Sequence, residues 1–398
     1  MSLAVPTSSE FPTLAREGLV YLDTAATSQT VRPAIEAMDR YYETYRASIH
    51  RGIYSIATEA TDAYELARER VARFVGSTAR ETIFTKNATE AINLVAYSWG
   101  RANVGPDDLV VISQMEHHAN IIPWQLLGCK LAYIPMFDDG SLDLDAFDAL
   151  LEQQPKLVAV ANVSNVVGTI NPVAEITLRA HEAGAMVLVD GAQAVPSMPV
   201  DVAEIDADFY AWTGHKVYGP TGIGVLHGRF DILSAMPPFL GGGHMIARVG
   251  DFSSTWAEPP TRFEAGTMPI AEAIGLGEAV EWLSGIGMDN VREHGRDVTA
   301  YALERLLAVD GLSVHGTTDP DGRGALVSFE LEGIHPHDVA EILGRQGVCV
   351  RAGHHCAQPL MRRLGSPAST RASFAIHATR EDVDRLIEGL AKVQEVFA

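Results

Sequence analysis

A chain of 398 residues, 47% of them hydrophobic and 20% charged, has the composition of a folded protein with room for one large domain and a smaller one. Its formal net charge of −21 argues against nucleic acid or an anionic membrane surface as a partner, since either would repel it. No apolar run reaches bilayer-spanning length and the first twenty residues lack the basic and apolar regions of a signal peptide, so a cytoplasmic location is expected.

The first apolar stretch, Leu19-Val20-Tyr21-Leu22-Asp23, reads as a strand running into the small-residue loop Thr24-Ala25-Ala26-Thr27. Apolar residues at helical spacing predict helices over 32–46 and 59–75, with the polar loop Ser48-Ile49-His50-Arg51-Gly52 between them. Taken alone, His50 is a loop histidine. Thr82-Ile83-Phe84-Thr85 reads as a strand, and Asn87-Ala88-Thr89-Glu90 opens a helix with the spacing of a capping box. The N–H groups of such a helix start suit a phosphate, although most helices are capped and the signal by itself is weak.

Strands at 109–113, 131–134, 157–162 and 186–190 then alternate with helices after His117-His118-Ala119-Asn120 and over 144–153 and 174–183. That order predicts an α/β domain whose mostly parallel sheet is covered by helices on both faces. Ligands of such sheets sit at the carboxyl ends of the strands. His117, Asn165, Asp190, Gln193, His215 and Lys216 all fall just after predicted strands.

Lys216 stands out among them. It lies in Trp212-Thr213-Gly214-His215-Lys216-Val217-Tyr218-Gly219-Pro220, after the apolar run Phe209-Tyr210-Ala211-Trp212, and is one of only five lysines among the 30 basic residues. Burial and a neighbouring positive charge lower the pKa of a lysine amine and make it able to attack a carbonyl. The plain alternative is a surface lysine in a turn.

Beyond a glycine-rich loop at 241–248, helices over 269–286 and 291–309 lead to strands at 325–331, 349–352 and 372–376 and helices over 337–346 and 380–397. This is a second, α+β domain. The expected division is a large domain at 20–265, a small domain from 1–19 and 280–398, and a connecting segment at 266–279. The small domain carries Arg351-Ala352-Gly353-His354-His355-Cys356-Ala357-Gln358-Pro359. Neither the three cysteines Cys129, Cys349 and Cys356 nor the neighbouring histidines have metal-ligand spacing, so no metal site is expected, and an accessible thiolate nucleophile at Cys356 is the better reading. Arg371 is a solitary arginine among small residues, suited to an internal ion pair or to a substrate carboxylate.

With these motifs in this order, the chain resembles the class V branch of fold-type I pyridoxal phosphate enzymes, and within it the group II cysteine desulfurases of the SufS type. The resemblance runs through Tyr21 to Ala26, His50-Arg51-Gly52, Glu116 to Asn120, Ser164-Asn165, Val189 to Gln193, Thr213 to Lys216, Arg262 to Thr267 and Arg351 to Pro359. It implies pyridoxal 5'-phosphate on Lys216 as a Schiff base, with Lys216 also moving the substrate's Cα proton. It implies Asp190 at the pyridine nitrogen, His117 stacked on the ring, Gln193 at the phenolic oxygen, and the phosphate at Ala88 and Thr89 with donors from Thr213 and His215. Thr267 would reach the phosphate of a second subunit, which implies a homodimer. Arg371 would fix the carboxylate of L-cysteine, with Asn165 and His50 in the same pocket, and Cys356 would take the sulfur as a persulfide.

The short loop around Cys356 implies a protein that collects the sulfur for iron–sulfur cluster assembly. Ile334-His335-Pro336-His337-Asp338-Val339 resembles the branch served by a SufU-like zinc protein, with His337 entering its zinc site; a SufE-like acceptor is the alternative partner, and a surface histidine the alternative for His337. Two departures from the family pattern stand at Ala88 and at His244. Other readings are a selenocysteine lyase, another class V lyase or aminotransferase, and a zinc-binding scaffold using His354, His355 and Cys356.

Overall fold

Seven strands form the larger sheet, in the order Thr82–Thr85, Gly224–Gly228, Phe209–Thr213, Met186–Asp190, Leu157–Ala161, Leu109–Ser113 and Lys130–Ile134. The structure, a computed structural model, describes residues 10–398; residues 1–9, assigned above to the small domain, lie outside the described residues. Every pairing in the sheet is parallel except those of Gly224–Gly228, which runs antiparallel to both its neighbours. Along one strand Val110 and Ile112 enter one buried cluster while Val111 enters the other, and Leu188 is likewise split from Val187 and Val189. With both faces buried, these strands are apolar at successive positions up to the polar residue that ends each, Ser113 and Asp190, as a sheet covered on two sides requires.

Gly224–Gly228 has no counterpart in the sequence-based expectations. It is five residues long, bounded by glycines, and its direction leaves no mark in composition. The strand matters because of Gly224: a Cβ there would lie 2.4 Å from the backbone of Asn87, so only glycine lets the helix Ala88–Val95 begin so close to the sheet. Asn87 accepts the Glu90 N–H through its side chain, as expected of a cap, but Glu90 reaches back to the N–H of Lys86 at 2.6 Å instead of closing a capping box on Asn87.

Helix Ile270–Ile286 packs on Ser55–Phe74 and Arg32–Arg40. An added Cβ at Gly277 would meet the Ala67 Cβ at 2.7 Å, so the absent side chain sets the spacing of this crossing. The segment expected to connect the domains is thereby part of the large domain's core.

The small domain has a four-stranded sheet in the order Leu312–Val314, Leu326–Leu331, Ser369–Ser373 and Arg351–Gly353, antiparallel throughout. Helices Met288–Leu307, Pro336–Arg345 and Arg380–Phe397 cover it. Strand Val20–Tyr21 pairs parallel with Val348–Cys349, and Val20 and Leu22 are buried in the small domain's core. The expected boundary at residue 20 puts this strand with the large sheet; its pairing and its buried apolar side chains put it with the small one. The strand expected over 349–352 is two strands, because Arg351–Gly353 pairs with Ser369–Ser373 while Val348–Cys349 pairs elsewhere. The glycine-rich loop leads into a hairpin of Ile246–Val249 and Ser254–Trp256.

The two domains are tied beside Asn165. Ser328 Oγ donates to the Val166 carbonyl at 2.7 Å, Arg323 Nη2 to that of Val167 at 2.9 Å, and the Gly324 N–H to that of Gly168 at 2.8 Å.

Candidate active site

A cavity between the domains is lined by Ala88, Thr89, His117, Asn165, Asp190, Gln193, Thr213, His215, Lys216, Cys356 and Arg371, together with Ala25, Ala26, Arg351 and His355. Asp190 and Thr213 are the last residues of adjacent parallel strands, and Lys216 lies in the short turn Gly214–Lys216 that follows the second of them. The carboxyl edge of the sheet therefore places the carboxylate, the hydroxyl and the amine in one cavity.

The turn is fixed from outside. The Ser28 N–H and hydroxyl both donate to the His215 carbonyl, at 2.9 and 3.0 Å, and the His215 Nδ1 lies 3.1 Å from Thr27 Oγ1. Tyr21 in turn donates its hydroxyl to the Thr27 carbonyl at 2.8 Å. This accounts for the small-residue loop after the first strand: it braces the lysine turn. Burial, then the positive charges of Arg371 and Arg351, push Lys216 down to about 8, against an opposing pull from Asp190. An amine near that value is partly unprotonated at neutral pH.

Asp190 is buried and accepts the Ala192 N–H at 3.0 Å; burial raises its pKa, with Ala192 and Lys216 opposing. His117 accepts the Ala119 N–H through Nδ1 at 3.0 Å, which leaves its Nε2 as the protonated nitrogen. Burial, followed by the charge of Lys216, pulls its pKa down to about 3, so the ring is neutral. The peptide carrying it is anchored by Glu116, which is fully buried and accepts from Asn120 Nδ2 at 2.7 Å and from the Ala161 N–H at 2.8 Å, and shares a short hydrogen bond with Ser113. Burial raises Glu116 to about 8, which keeps it protonated at neutral pH.

Three polar atoms on this cavity's lining residues have no partner although buried: Thr213 Oγ1, His355 Nδ1 and Arg371 Nε. The rest of Arg371 is engaged, Nη1 with the Asn165 carbonyl at 2.7 Å and Nη2 with Asp23 at 3.4 Å. Burial lowers its pKa to about 10, which leaves it charged at pH 7. Orphaned donors in a cavity are costly unless a ligand satisfies them. An amine brought to about 8, a buried carboxylate, an unpartnered hydroxyl near a capped helix start and an unpartnered guanidinium N–H together fit a phosphorylated aldehyde and an amino acid carboxylate. Gln193 donates one N–H to the Ala25 carbonyl at 2.8 Å and has a second for a ligand oxygen.

Cys356 lies on the wall shared by this cavity and an outer cleft lined by His335, His337, Arg351, His354 and Pro367. Asn165 connects the halves, donating from Nδ2 to the His355 carbonyl at 2.7 Å.

One expected pocket residue, His50, and the residue expected at a second subunit's phosphate, Thr267, lie outside this cavity. His50 is outside the cavity: its Nε2 lies 2.7 Å from Glu65 Oε1 and its ring stacks on His244, centroids 4.8 Å apart. The reason is that Glu65, held by Arg68 at 3.0 Å in a network with the buried Glu264, offers the imidazole a charged partner. Thr267 lines a separate cleft with His244 and Arg51. Conversely, Arg351 and His355, part of the motif around Cys356 but given no role of their own by the sequence, join the pocket. Arg351 pairs directly across the small sheet with Arg371, and strand register is not visible in one sequence.

The model of the family described as Aminotransferase class-V matches residues 20–386. The chain is 50% identical to a protein of Streptomyces coelicolor named probable cysteine desulfurase, over 98% of this chain and 96% of that one. It is 49% identical to the cysteine desulfurase of Haloferax volcanii, over 96% and 90%. Among solved structures, the apo cysteine desulfurase of Thermococcus onnurineus superposes with a TM-score of 0.95 at 38% identity, covering 99% of each chain.

Proposed function

This chain belongs to the class V aminotransferase family, among its cysteine desulfurases, and from that premise we propose that it holds pyridoxal 5'-phosphate at Lys216 and converts L-cysteine to L-alanine, leaving a persulfide on Cys356. The observation that carries the reading is that Lys216 and Cys356, on different domains, line one cavity with Asp190 and Arg371.

When bound, the cofactor supplies an electron sink for the pair of electrons at the substrate Cα. Thr213 Oγ1, the first N–H groups of Ala88–Val95 and His215 would hold its phosphate, and the Asp190 carboxylate would keep its ring nitrogen protonated. Ala88 contributes no hydroxyl, so the helix start and Thr89 carry that contact. Arg371 Nε orients the substrate carboxylate. Lys216 Nζ, with its pKa near 8, takes the Cα proton and returns it. Cys356 Sγ then attacks the substrate sulfur as a thiolate; an S–S bond forms, the Cβ–S bond breaks, and the electron pair left at Cβ takes up a proton to become the methyl group of alanine.

The short thiol loop supports a place for the chain among the group II, SufS-like enzymes. His337 is exposed at the start of helix Pro336–Arg345 and shares the outer cleft with Cys356, which supports an acceptor protein, SufU-like, docking there to carry sulfur toward iron–sulfur cluster assembly. The fully exposed Ile53 and Phe252 and the cleft at Thr267 support a homodimer in which Thr267 serves the second subunit's phosphate. Among the described residues no helix is long and apolar enough to cross a membrane, in keeping with the proposed cytoplasmic location.

The test is an absorbance spectrum of the purified protein before and after L-cysteine, with alanine and Cys356 persulfide quantified. Equal amounts of the two products support the reading; a keto acid product, or zinc in place of a yellow chromophore, overturns it. Retained alanine release by Cys356→Ala would favour a selenocysteine lyase.

A further inference from the structure

His355 and Cys356 both have positive φ, 50° and 56°, a region that residues with side chains avoid. The helix that follows, Gln358–Arg363, begins at Ala357, which has no side-chain oxygen to cap it. The turn bearing the thiol is thus poorly supported by its own sequence. Support comes from the large domain: His118 Nε2 accepts the Gln358 N–H at 3.1 Å, and the His118 backbone N–H donates to the Cys356 carbonyl at 2.7 Å. On the other side, His354 Nδ1 accepts the Cys356 N–H at 3.2 Å, and the His118 and His354 ring centroids are 5.7 Å apart.

We propose that His118 is a positioning residue for the thiol: its unprotonated Nε2 caps the helix after Cys356 and holds Sγ at the cavity that Lys216 lines, and a proton on His118 releases the turn. The preceding residue, His117, lines that same cavity, so one dipeptide sets both the cofactor side and the thiol side. The titratable groups facing the His118 ring are His117, at 6.3 Å between centroids, and His354, at 5.7 Å. Burial, then His354, holds the His118 pKa below the ordinary histidine value, so the ring accepts at pH 7. Protonated imidazole has no acceptor, and both ring nitrogens would then donate.

The inference rests on the thiol role proposed for Cys356, so the first readout is independent of it: the rate at which iodoacetamide alkylates Cys356 in the holoenzyme with no cysteine added. His118→Phe keeps the ring and removes the acceptor; it is expected to change that rate by about fivefold, the effect of one lost hydrogen bond. The same variant lowers kcat for alanine release by a similar factor, with KM and the cofactor absorbance unchanged. His118→Gln, whose amide oxygen accepts but does not titrate, restores both rates and removes the fall in kcat on the acid side. Parent-like alkylation and kcat in His118→Phe overturn the proposal, as does a parental acid limb in His118→Gln. If His118→Phe does not fold, the pH profile of His118→Gln decides alone. If the parent releases no alanine from cysteine, the functional reading fails while the alkylation rates still decide the role of His118.

Discussion

The turns that carry Lys216 and Cys356 are held in opposite ways. The lysine turn continues a central strand, and its carbonyl is clamped by the backbone and hydroxyl of Ser28, so the half-buried lysine is fixed at the sheet edge. The thiol turn follows a strand at the edge of the small sheet, passes through two left-handed residues and depends on the side chains of His118 and Asn165 from other segments and on its own His354. The contrast follows from the proposed chemistry. A proton-transferring amine needs a constant, desolvated position, whereas a thiol that receives sulfur inside and delivers it outside needs a wall position open to both cavities.

The contrast breaks most severely if either reactive atom is removed. Cys356→Ala is expected to lower alanine release from cysteine by at least about a thousandfold, as for other lost nucleophiles, with the cofactor absorbance retained; product analysis and a spectrum of the same sample check both halves. Lys216→Arg loses about 10²–10⁴-fold in rate, the contribution of a positioned proton-transfer group, and also loses covalent retention of the cofactor on a desalting column. Next in size is Arg371→Lys. A single ammonium cannot hold Asn165, Asp23 and a substrate carboxylate together, so kcat/KM for cysteine is expected to fall roughly 10- to 100-fold.

How much of this is legible in the sequence also divides along the two turns. The strands ending at Asp190 and Thr213 announce themselves as apolar runs, and the rule that ligands bind at carboxyl edges of parallel strands is enough to group Asp190, Gln193 and Lys216 from the order of residues alone. The local context of Cys356 suggests a thiolate nucleophile but does not place it with Lys216, which only the family resemblance implies. Its support comes from His118 and Asn165, and no periodicity reveals which distant backbone carbonyl a side chain will meet. Gly224–Gly228 is hidden because an antiparallel strand of that length looks like a turn, although its glycine positions the helix start at Ala88. The motif around His50 points to the pocket, while Glu65 and His244 determine where its ring lies in this chain.

Two smaller effects sharpen the lysine half. In the cofactor-free protein, the pKa of Lys216 is about 8 folded and 10.5 unfolded, so between these values the unfolded chain binds more protons and stability rises with pH. Below about 8 both states are protonated and the buried ammonium imposes its full cost. Urea midpoints of the cofactor-free parent and Lys216→Met, compared from pH 7.5 to 10, should therefore converge as pH rises. The smallest expected change is that of Asn87→Ala, which removes the cap of helix Ala88–Val95 and costs about 1 kcal/mol by urea unfolding.

The most direct measurement is a single turnover with L-cysteine carrying heavy sulfur, followed by mass spectrometry of the Cys356 peptide and quantification of alanine. The account predicts one heavy sulfur added to Cys356 for each alanine formed. Alanine without label on Cys356, or label on Cys129 or Cys349 instead, would contradict it.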